Sequence, residues 1–408
     1  MALKQGRSAR SIKQLKSGEL DFQFMRTLSA MSEGGATVGE CLIVRDKTTD
    51  DVSFAYAWMD LGKQLEARAT EAEKHGHMQT AFERLKRATN YYRSGLTSFS
   101  PLANPQEHHE CWQRGTKTFE QFGSMLEAPM QRIDVPFEAG ILPCYWLKPD
   151  YSPVQRPSLM AFTGGEGTAM EMYFWIGAAG LRRGYNIFLC EIPGNIGAMY
   201  LNNLKFTLRH DTEKPISAIL DAISDLPGID PNRIAATGYS YGGYFAARAA
   251  CFDKRIAALA PDTPLHNAYE LWTAVLPAWF MNAKLGPRIL NLFATTVLHD
   301  ANKNSVDIML WLTQSTQLTA SIEFTRACNI IDIEHQITCP VLALCGDGEG
   351  NIFNTQAQEF YKGVGSTHKR LYRFTQADGG GAHCQVDNYN LLHEVTYDWL
   401  DEVLQNVA

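Results

Sequence analysis

A chain of 408 residues, 45% hydrophobic and 20% charged, has the composition of a soluble globular protein with a full core, and its length suits one large domain or two smaller ones. Its net charge of -7 argues against a general nucleic-acid binder, which needs a basic face. No apolar run is long enough to span a bilayer, so neither nucleic acid nor membrane is an expected partner. The nine cysteines are scattered without a C-x-x-C pair, and Cys190, Cys339 and Cys345 lie in or beside apolar runs. They read as reduced, buried small hydrophobes of a cytoplasmic protein. The basic residues Lys4, Arg7, Arg10, Lys13 and Lys16 have no apolar segment behind them. They read as a solvated tail, or less readily as a cleaved organelle peptide, and not as a secretory signal.

Up to about Asp51 no periodicity stands out. Then Phe54, Trp58, Leu61 and Leu65 share one helical face, and Met78, Ala81, Phe82, Leu85, Ala88 and Tyr92 share another. Lys74-His75-Gly76 breaks the two, which predicts an αα-hairpin. No second copy follows at a fixed period, so a solenoid is not expected. A connector from Ser98 to Pro105 leads to a further helix ending near Met125. The expected division is a helical N-terminal domain over residues 1–125 and a second domain over 126–408.

From Met130 the period changes. Arg132 to Phe137 and Ile141 to Leu147 flank Glu138-Ala139-Gly140 and predict a β-hairpin. Apolar runs at Ser158–Thr163, Tyr185–Ile192, Ile234–Thr237, Ile256–Ala260, Val341–Cys345 and Leu371–Phe374 then alternate with helical segments. Short continuous apolar strands between helices predict an α/β architecture: a mostly parallel sheet with helices on both faces. Between the strands ending at Ala260 and starting at Val341 lies a long stretch rich in Leu, Trp, Phe and Met. It reads as a helical cap insertion over about residues 263–335, since a structureless loop of that length is improbable. Part of its aromatic content is core, and part is expected to line a substrate pocket.

The chemistry centres on Gly238-Tyr239-Ser240-Tyr241-Gly242, a G-x-S-x-G between a predicted strand and a predicted helix. That spacing places a serine on a sharp turn whose neighbours must be small, over a helix N-terminus that favours negative charge. The alternative is a glycine-rich turn with an incidental serine. A base is expected late in the chain. His383 follows Gly379-Gly380-Gly381-Ala382 after the last strand, whereas His393 falls inside a helix and His368 precedes a strand. The acid should follow Val341–Cys345, where Gly346-Asp347-Gly348-Glu349-Gly350 offers two carboxylates. Spacing from the strand-end glycine favours Glu349; Asp347 stays open and Asp262 is a distant third. The oxyanion hole would use the N–H of Tyr241 and that of Gly164 or Gly165 in Thr163-Gly164-Gly165-Glu166-Gly167. That loop lacks the fingerprints of a phosphate site. Glu166, Tyr239, Trp272 and Trp279 are candidate substrate contacts. The pair His108-His109 lacks metal-ligand spacing, so no metal is assigned.

Several pieces resemble one branch of the α/β-hydrolase superfamily: Ala88 to Arg93, Val135 to Glu138, Thr163 to Gly167, Asp230 to Ala235, Gly238 to Tyr244 and Gly381 to Gln385. They run from about residue 50 to the C-terminus. This branch carries a helical N-terminal domain and includes 2,6-dihydroxypseudooxynicotine hydrolase, FrsA-like esterases and the fungal yellowish-green pigment hydrolases that shorten polyketides. The resemblance implies an α/β-hydrolase fold, a Ser–acid–His triad, no metal, no organic cofactor and a homodimer. It also implies carbonyl chemistry, either retro-Claisen cleavage of a C–C bond or hydrolysis of an ester or lactone. The sequence departs from the branch at the acid loop and in its long cap.

The expected function is therefore hydrolysis of a hydrophobic, aromatic or polyketide-like small molecule. A trans-acting thioesterase or acyltransferase uses the same machinery. A non-catalytic ligand-binding protein of the same fold and an interaction scaffold built on the N-terminal hairpin are the rivals from other classes.

Overall fold

The computed structural model describes residue 8 and residues 12–15, 17–275 and 304–404. Among the described residues eight strands form one sheet: β1 (Gln131–Phe137), β2 (Gly140–Leu147), β3 (Arg156–Phe162), β4 (Asn186–Cys190), β5 (Ile229–Tyr239), β6 (Ile256–Asp262), β7 (Val341–Gly346) and β8 (Lys369–Phe374). Their spatial order is β1-β2-β4-β3-β5-β6-β7-β8. The β1–β2 hairpin and the β2–β4 pair are antiparallel; every pairing from β4 to β8 is parallel. The interior strands β4 and β7 are buried at every position. A strand covered on both faces has no polar side to show, which is why these segments read as unbroken apolar runs. The edge strand β8 carries Lys369, Arg370 and Arg373 instead, a charged rim that discourages pairing with another chain.

Before the sheet, among the described residues, come five α-helices: α1 (Gly18–Ser29), α2 (Val38–Lys47), α3 (Asp51–Lys74), α4 (Met78–Ser98) and α5 (Pro105–Gly123). Asp50 and Ser53 close a capping box at the start of α3, and Gly76 at φ 73° turns the chain into α4. The fully buried Trp58 stacks on Tyr91 at 5.2 Å and takes Phe54 edge-on at 5.7 Å. On the far side, Phe122 of α5 meets Tyr173 at 5.0 Å and Phe119 meets Tyr145 at 5.0 Å. One apolar core thus runs from the helices into the sheet.

Between and after the strands lie α6 (Ala169–Met172), a π-helical turn (Tyr173–Gly177), α7 (Ala178–Arg182), α8 (Ile196–Leu201), α9 (Glu213–Ile223), α10 (Tyr241–Phe252), α11 (Ala268–Val275), α12 (Leu318–Phe324), α13 (Asn351–Gly363) and α14 (Tyr389–Leu404). Helices α9 and α10 pack together on the sheet, as do α7 and α14. Of the expected cap insertion, residues 276–303 lie outside the described residues; α11, a helical stretch at 304–312 and α12 are described. The stretch at 304–312 is tied to the N-terminal helices. Asn304 donates to the Thr97 carbonyl at 2.8 Å and Ser100 to Asp307 at 2.5 Å. Trp311 packs on His108 and Tyr200, each at 5.3 Å. Burial, with neighbouring His109, pushes His108 down to about 3, so it is a neutral core imidazole bonded to the Tyr200 hydroxyl.

Candidate active site

The C-terminal ends of β3, β5 and β6 meet at one point. Register sets Phe162 opposite Gly238 and Tyr239 opposite Asp262. There β5 turns sharply into α10, and Ser240 sits on the turn at φ 55°, ψ -121°. Few non-glycine residues hold a positive φ, and this one is held from several sides. Ser240 N–H donates to the Asp262 carbonyl at 2.7 Å, and Gly243 N–H donates to the Ser240 carbonyl at 2.9 Å. The turn also admits no side chain beside it. A methyl group on Gly238 would lie 2.3 Å from the Gly242 carbonyl oxygen, and one on Gly242 would lie 2.2 Å from that of Phe162.

Loop 163–167, after β3, passes directly over the turn. A methyl group on Gly164 would lie 2.9 Å from the Tyr239 ring and 3.3 Å from Ser240 Cβ. Asn195 donates to the Gly164 carbonyl at 3.3 Å, and Thr163 and Tyr239 share a hydroxyl–hydroxyl bond of 2.8 Å.

His383 follows β8 and is 5% exposed. Its Nδ1 lies 2.8 Å from Glu349 Oε2, and its ring leans on Phe353 with centroids 4.7 Å apart. Glu349 is 2% exposed and saturated with donors: the Thr263 hydroxyl also reaches Oε2, and the Gly346 N–H reaches Oε1. Asp347 goes elsewhere. It is exposed, and its carboxylate accepts the Gln376 N–H at 3.0 Å. The reason lies in the backbone, because Asp347 N–H still bonds to the Phe374 carbonyl of β8. Asp347 therefore continues the β7–β8 ladder, and only after Gly348 does the chain turn back toward β6.

Asp262 is fully buried beside this pair. Burial and then the Glu349 charge raise its carboxyl well above the ordinary range, and the Gln385 amide, oriented to donate, reaches its oxygens at 3.2 and 2.6 Å. A folded-state pKa above the unfolded value means that folding takes up a proton. Stability from this group is complete below the ordinary Asp range and declines as pH rises toward the folded value. Asp262→Asn keeps the shape and removes that titration. The variant should gain on the wild type by up to about 1.4 kcal/mol per pH unit as pH rises from about 5. Thermal denaturation at pH 5 and pH 8 checks it; a gap between the two proteins that does not widen with pH would refute the neutral Asp262.

Ser240, His383, Gly164, Gly165, Tyr239 and Tyr241 all line one cavity of about 250 Å3. Its walls are otherwise largely apolar: Phe22 from α1, Trp175 from the π-helical turn, Leu271 and Trp272 from α11, and Ile308, Met309 and Leu312 from the stretch at 304–312. Of the residues expected from the sequence to meet substrate, Glu166, Tyr239 and Trp272 reach this cavity, and Trp279 lies outside the described residues. Among the described residues no cluster of His, Cys, Asp or Glu has the make-up of a metal site, and no helix is long and apolar enough to cross a membrane.

The architecture has known counterparts. The solved structure of 2,6-dihydroxy-pseudo-oxynicotine hydrolase superposes with a TM-score of 0.71 over 92% of this chain and 95% of that one, at 21% identity. The prolyl oligopeptidase family model matches residues 171–316, a span holding the Ser240 turn. The chain has the α/β-hydrolase fold. Among curated relatives, an alpha/beta hydrolase of Penicillium citrinum, gkaG, is 28% identical over 94% of this chain and 95% of its own. A 20-hydroxy-prefusarin hydrolase of Gibberella moniliformis is 27% identical over 93% and 95%. The resemblance read from the short motifs thus extends over nearly the whole chain.

What sequence reasoning missed in this chain is α1. It supplies Phe22 and Arg26 to the cavity wall. Arg26 is 4% exposed and chelates Glu171, with Nε to Oε1 and Nη2 to Oε2 both at 2.5 Å. Its Nη1 reaches Glu166 at 2.7 Å. Burial opposes the charge on Glu171, but Arg26 and Arg93 hold the carboxyl below the usual range. The available signal was local: Ser17 as N-cap, Glu19 and Asp21 in the first turn and Arg26 in the last are the marks of a helix.

Proposed function

We propose that this α/β-hydrolase is a serine-nucleophile enzyme that hydrolyses a hydrophobic carbonyl compound, aromatic or polyketide-like, at a C–C bond beside the carbonyl or at an ester or lactone bond. Ser240 Oγ attacks the carbonyl carbon and passes its proton to His383 Nε2. Glu349 accepts a hydrogen bond from the Nδ1–H, which fixes the tautomer that leaves Nε2 free as a base, and it stabilises the imidazolium. The oxyanion is received by the N–H of Tyr241 and that of Gly164 or Gly165. Collapse expels a stabilised carbanion or an alkoxide, which takes the proton from His383. Water, activated by the same imidazole, then releases the acid from Ser240.

One observation carries the reading. The buried Glu349–His383 pair at 2.8 Å opens on the same cavity as a serine held at positive φ on a strand-to-helix turn. The largely apolar lining supports a hydrophobic substrate, as does the kinship with a 20-hydroxy-prefusarin hydrolase. Product analysis by mass spectrometry tests it with an aromatic β-diketone, a lactone and a short ester. An acid plus a ketone from the diketone, absent with Ser240→Ala, is the expected result for C–C hydrolysis. Turnover of the ester or lactone alone would assign carboxylic ester chemistry. Turnover of none of them, with no covalent labelling by a fluorophosphonate, would move the protein to the non-catalytic binders.

A further inference from the structure

We propose that Arg26 is a positioning residue for this reaction: a buried guanidinium on α1 that holds the two walls of the oxyanion hole, loop 163–167 and the Tyr239–Tyr241 turn, in register with each other. The proposal rests on the reading of Ser240 as nucleophile.

Arg26 lines the cavity, which invites the view that it binds substrate. Its hydrogen bonds say otherwise. A guanidinium has five N–H donors. Nε and Nη2 chelate Glu171 at 2.5 Å each, and Nη2 also reaches the Tyr239 hydroxyl at 3.3 Å. Nη1 reaches Glu166 Oε1 at 2.7 Å and Gln23 Oε1 at 3.3 Å. All five donors are matched within the protein, so the side chain has none left to offer a substrate.

The partners explain what the bonds are for. Glu166 belongs to the loop that carries Gly164 and Gly165. Tyr239 is covalently next to Ser240, and its hydroxyl also donates to Glu171 at 2.8 Å and pairs with Thr163, the first residue of the loop. A methyl group on Gly167 would lie 1.8 Å from Thr163 Oγ1 and 2.2 Å from the Tyr239 hydroxyl, so the loop is closed tightly around that oxygen. Arg26 therefore ties together the two segments whose N–H groups would receive the oxyanion. Such donors lower a barrier only if they are already in place when charge develops. The charges balance locally, with Arg26 and Arg93 against Glu171 and Glu166, and Arg93 Nη1 stands 3.7 Å from Glu171. A lysine could not replace the fork. Its single ammonium cannot chelate Glu171 while reaching Glu166 and Tyr239.

The test uses the full chain and the kinetics of covalent labelling by a fluorophosphonate, with mass spectrometry to locate the adduct. In Arg26→Gln, the maximal labelling rate should fall about 100-fold, the scale of losing one oxyanion donor, while the half-saturating concentration stays within about twofold. Arg26→Lys should not restore the rate. A wild-type maximal rate in Arg26→Gln would overturn the proposal. So would an unchanged rate with a raised half-saturating concentration, which would make Arg26 a ligand for the bound molecule. Should Arg26→Gln fail to fold, Glu166→Ala takes its place, because it cuts the loop's tether and leaves the Arg26–Glu171 chelate intact. It should lower the maximal rate about tenfold, and an unchanged rate would overturn the proposal equally. Absence of any adduct on Ser240 in the wild type is a separate outcome, which sinks the nucleophile reading itself.

Discussion

Ser240→Ala should remove turnover and fluorophosphonate labelling together while leaving the melting temperature unchanged. The two halves of that expectation have separate grounds. The Ser240 side chain makes no cap hydrogen bond to α10, so the hydroxyl is not what starts the helix. Backbone bonds from Ser240 to Asp262 and from Gly243 to Ser240 hold the turn, and alanine keeps both. The positive φ costs alanine about what it costs serine. The chemical loss should be large, on the order of 10^4- to 10^6-fold in kcat, because in the proposed mechanism the triad acts as a unit and only binding and the oxyanion donors would survive. Comparison of kcat with the melting temperature in the same preparation is the measurement. Turnover within about tenfold of wild type would remove Ser240 as nucleophile, whatever its backbone angles.

How much of this was open to reading without coordinates follows from where polar groups point. The interior strands were legible because both of their faces are covered, and the hairpin helices because α3 and the first half of α4 bury one stripe, although α4 is buried all round from Ala88 to Thr97. The Ser240 turn was legible because glycine is the only residue that fits at Gly238 and Gly242. Helix α1 was not. Asp21, Phe22, Gln23, Phe24, Met25, Arg26 and Thr27 are all buried, so its polar residues face inward and the amphipathic contrast that marks a surface helix is cancelled. Arg26, Gln23 and Thr27 are satisfied by groups far along the chain, such as Glu171, Glu166 and Ser94, and no local pattern encodes such partners. His393 misleads in the same way. It sits within α14, yet it is buried and bonds to the Trp175 carbonyl at 2.7 Å. At the acid loop spacing favoured Glu349 yet left Asp347 open, for a different reason: two residues of spacing do not show on which of them the backbone leaves the ladder.

That competition gives the second large effect. Glu349→Gln should lower kcat on the order of 10^3- to 10^4-fold, and Asp347→Asn should leave it within about twofold. The carboxylate of Glu349 accepts from three groups: the Gly346 N–H, the Thr263 hydroxyl and His383 Nδ1. A glutamine has one acceptor oxygen, so either the Gly346 N–H or the imidazole must face an NH2 group. If the NH2 faces His383, it donates to Nδ1 and selects the tautomer whose proton sits on Nε2, where Ser240 needs a lone pair. If it faces Gly346, a buried N–H loses its acceptor and the loop shifts, which moves the histidine by another route. Both outcomes cost activity, and neither has a counterpart at Asp347, whose exposed carboxylate takes only the Gln376 N–H from the far side of the loop. The buried Asp262 adds a discriminating control. Neutralising Glu349 removes the charge that, after burial itself, most opposes ionisation of Asp262. Residual activity in Glu349→Gln that climbs with pH and vanishes in the double variant with Asp262→Asn would show Asp262 standing in as the acid. Equal losses at positions 347 and 349, measured as kcat at one pH, would instead refute the assignment of Glu349.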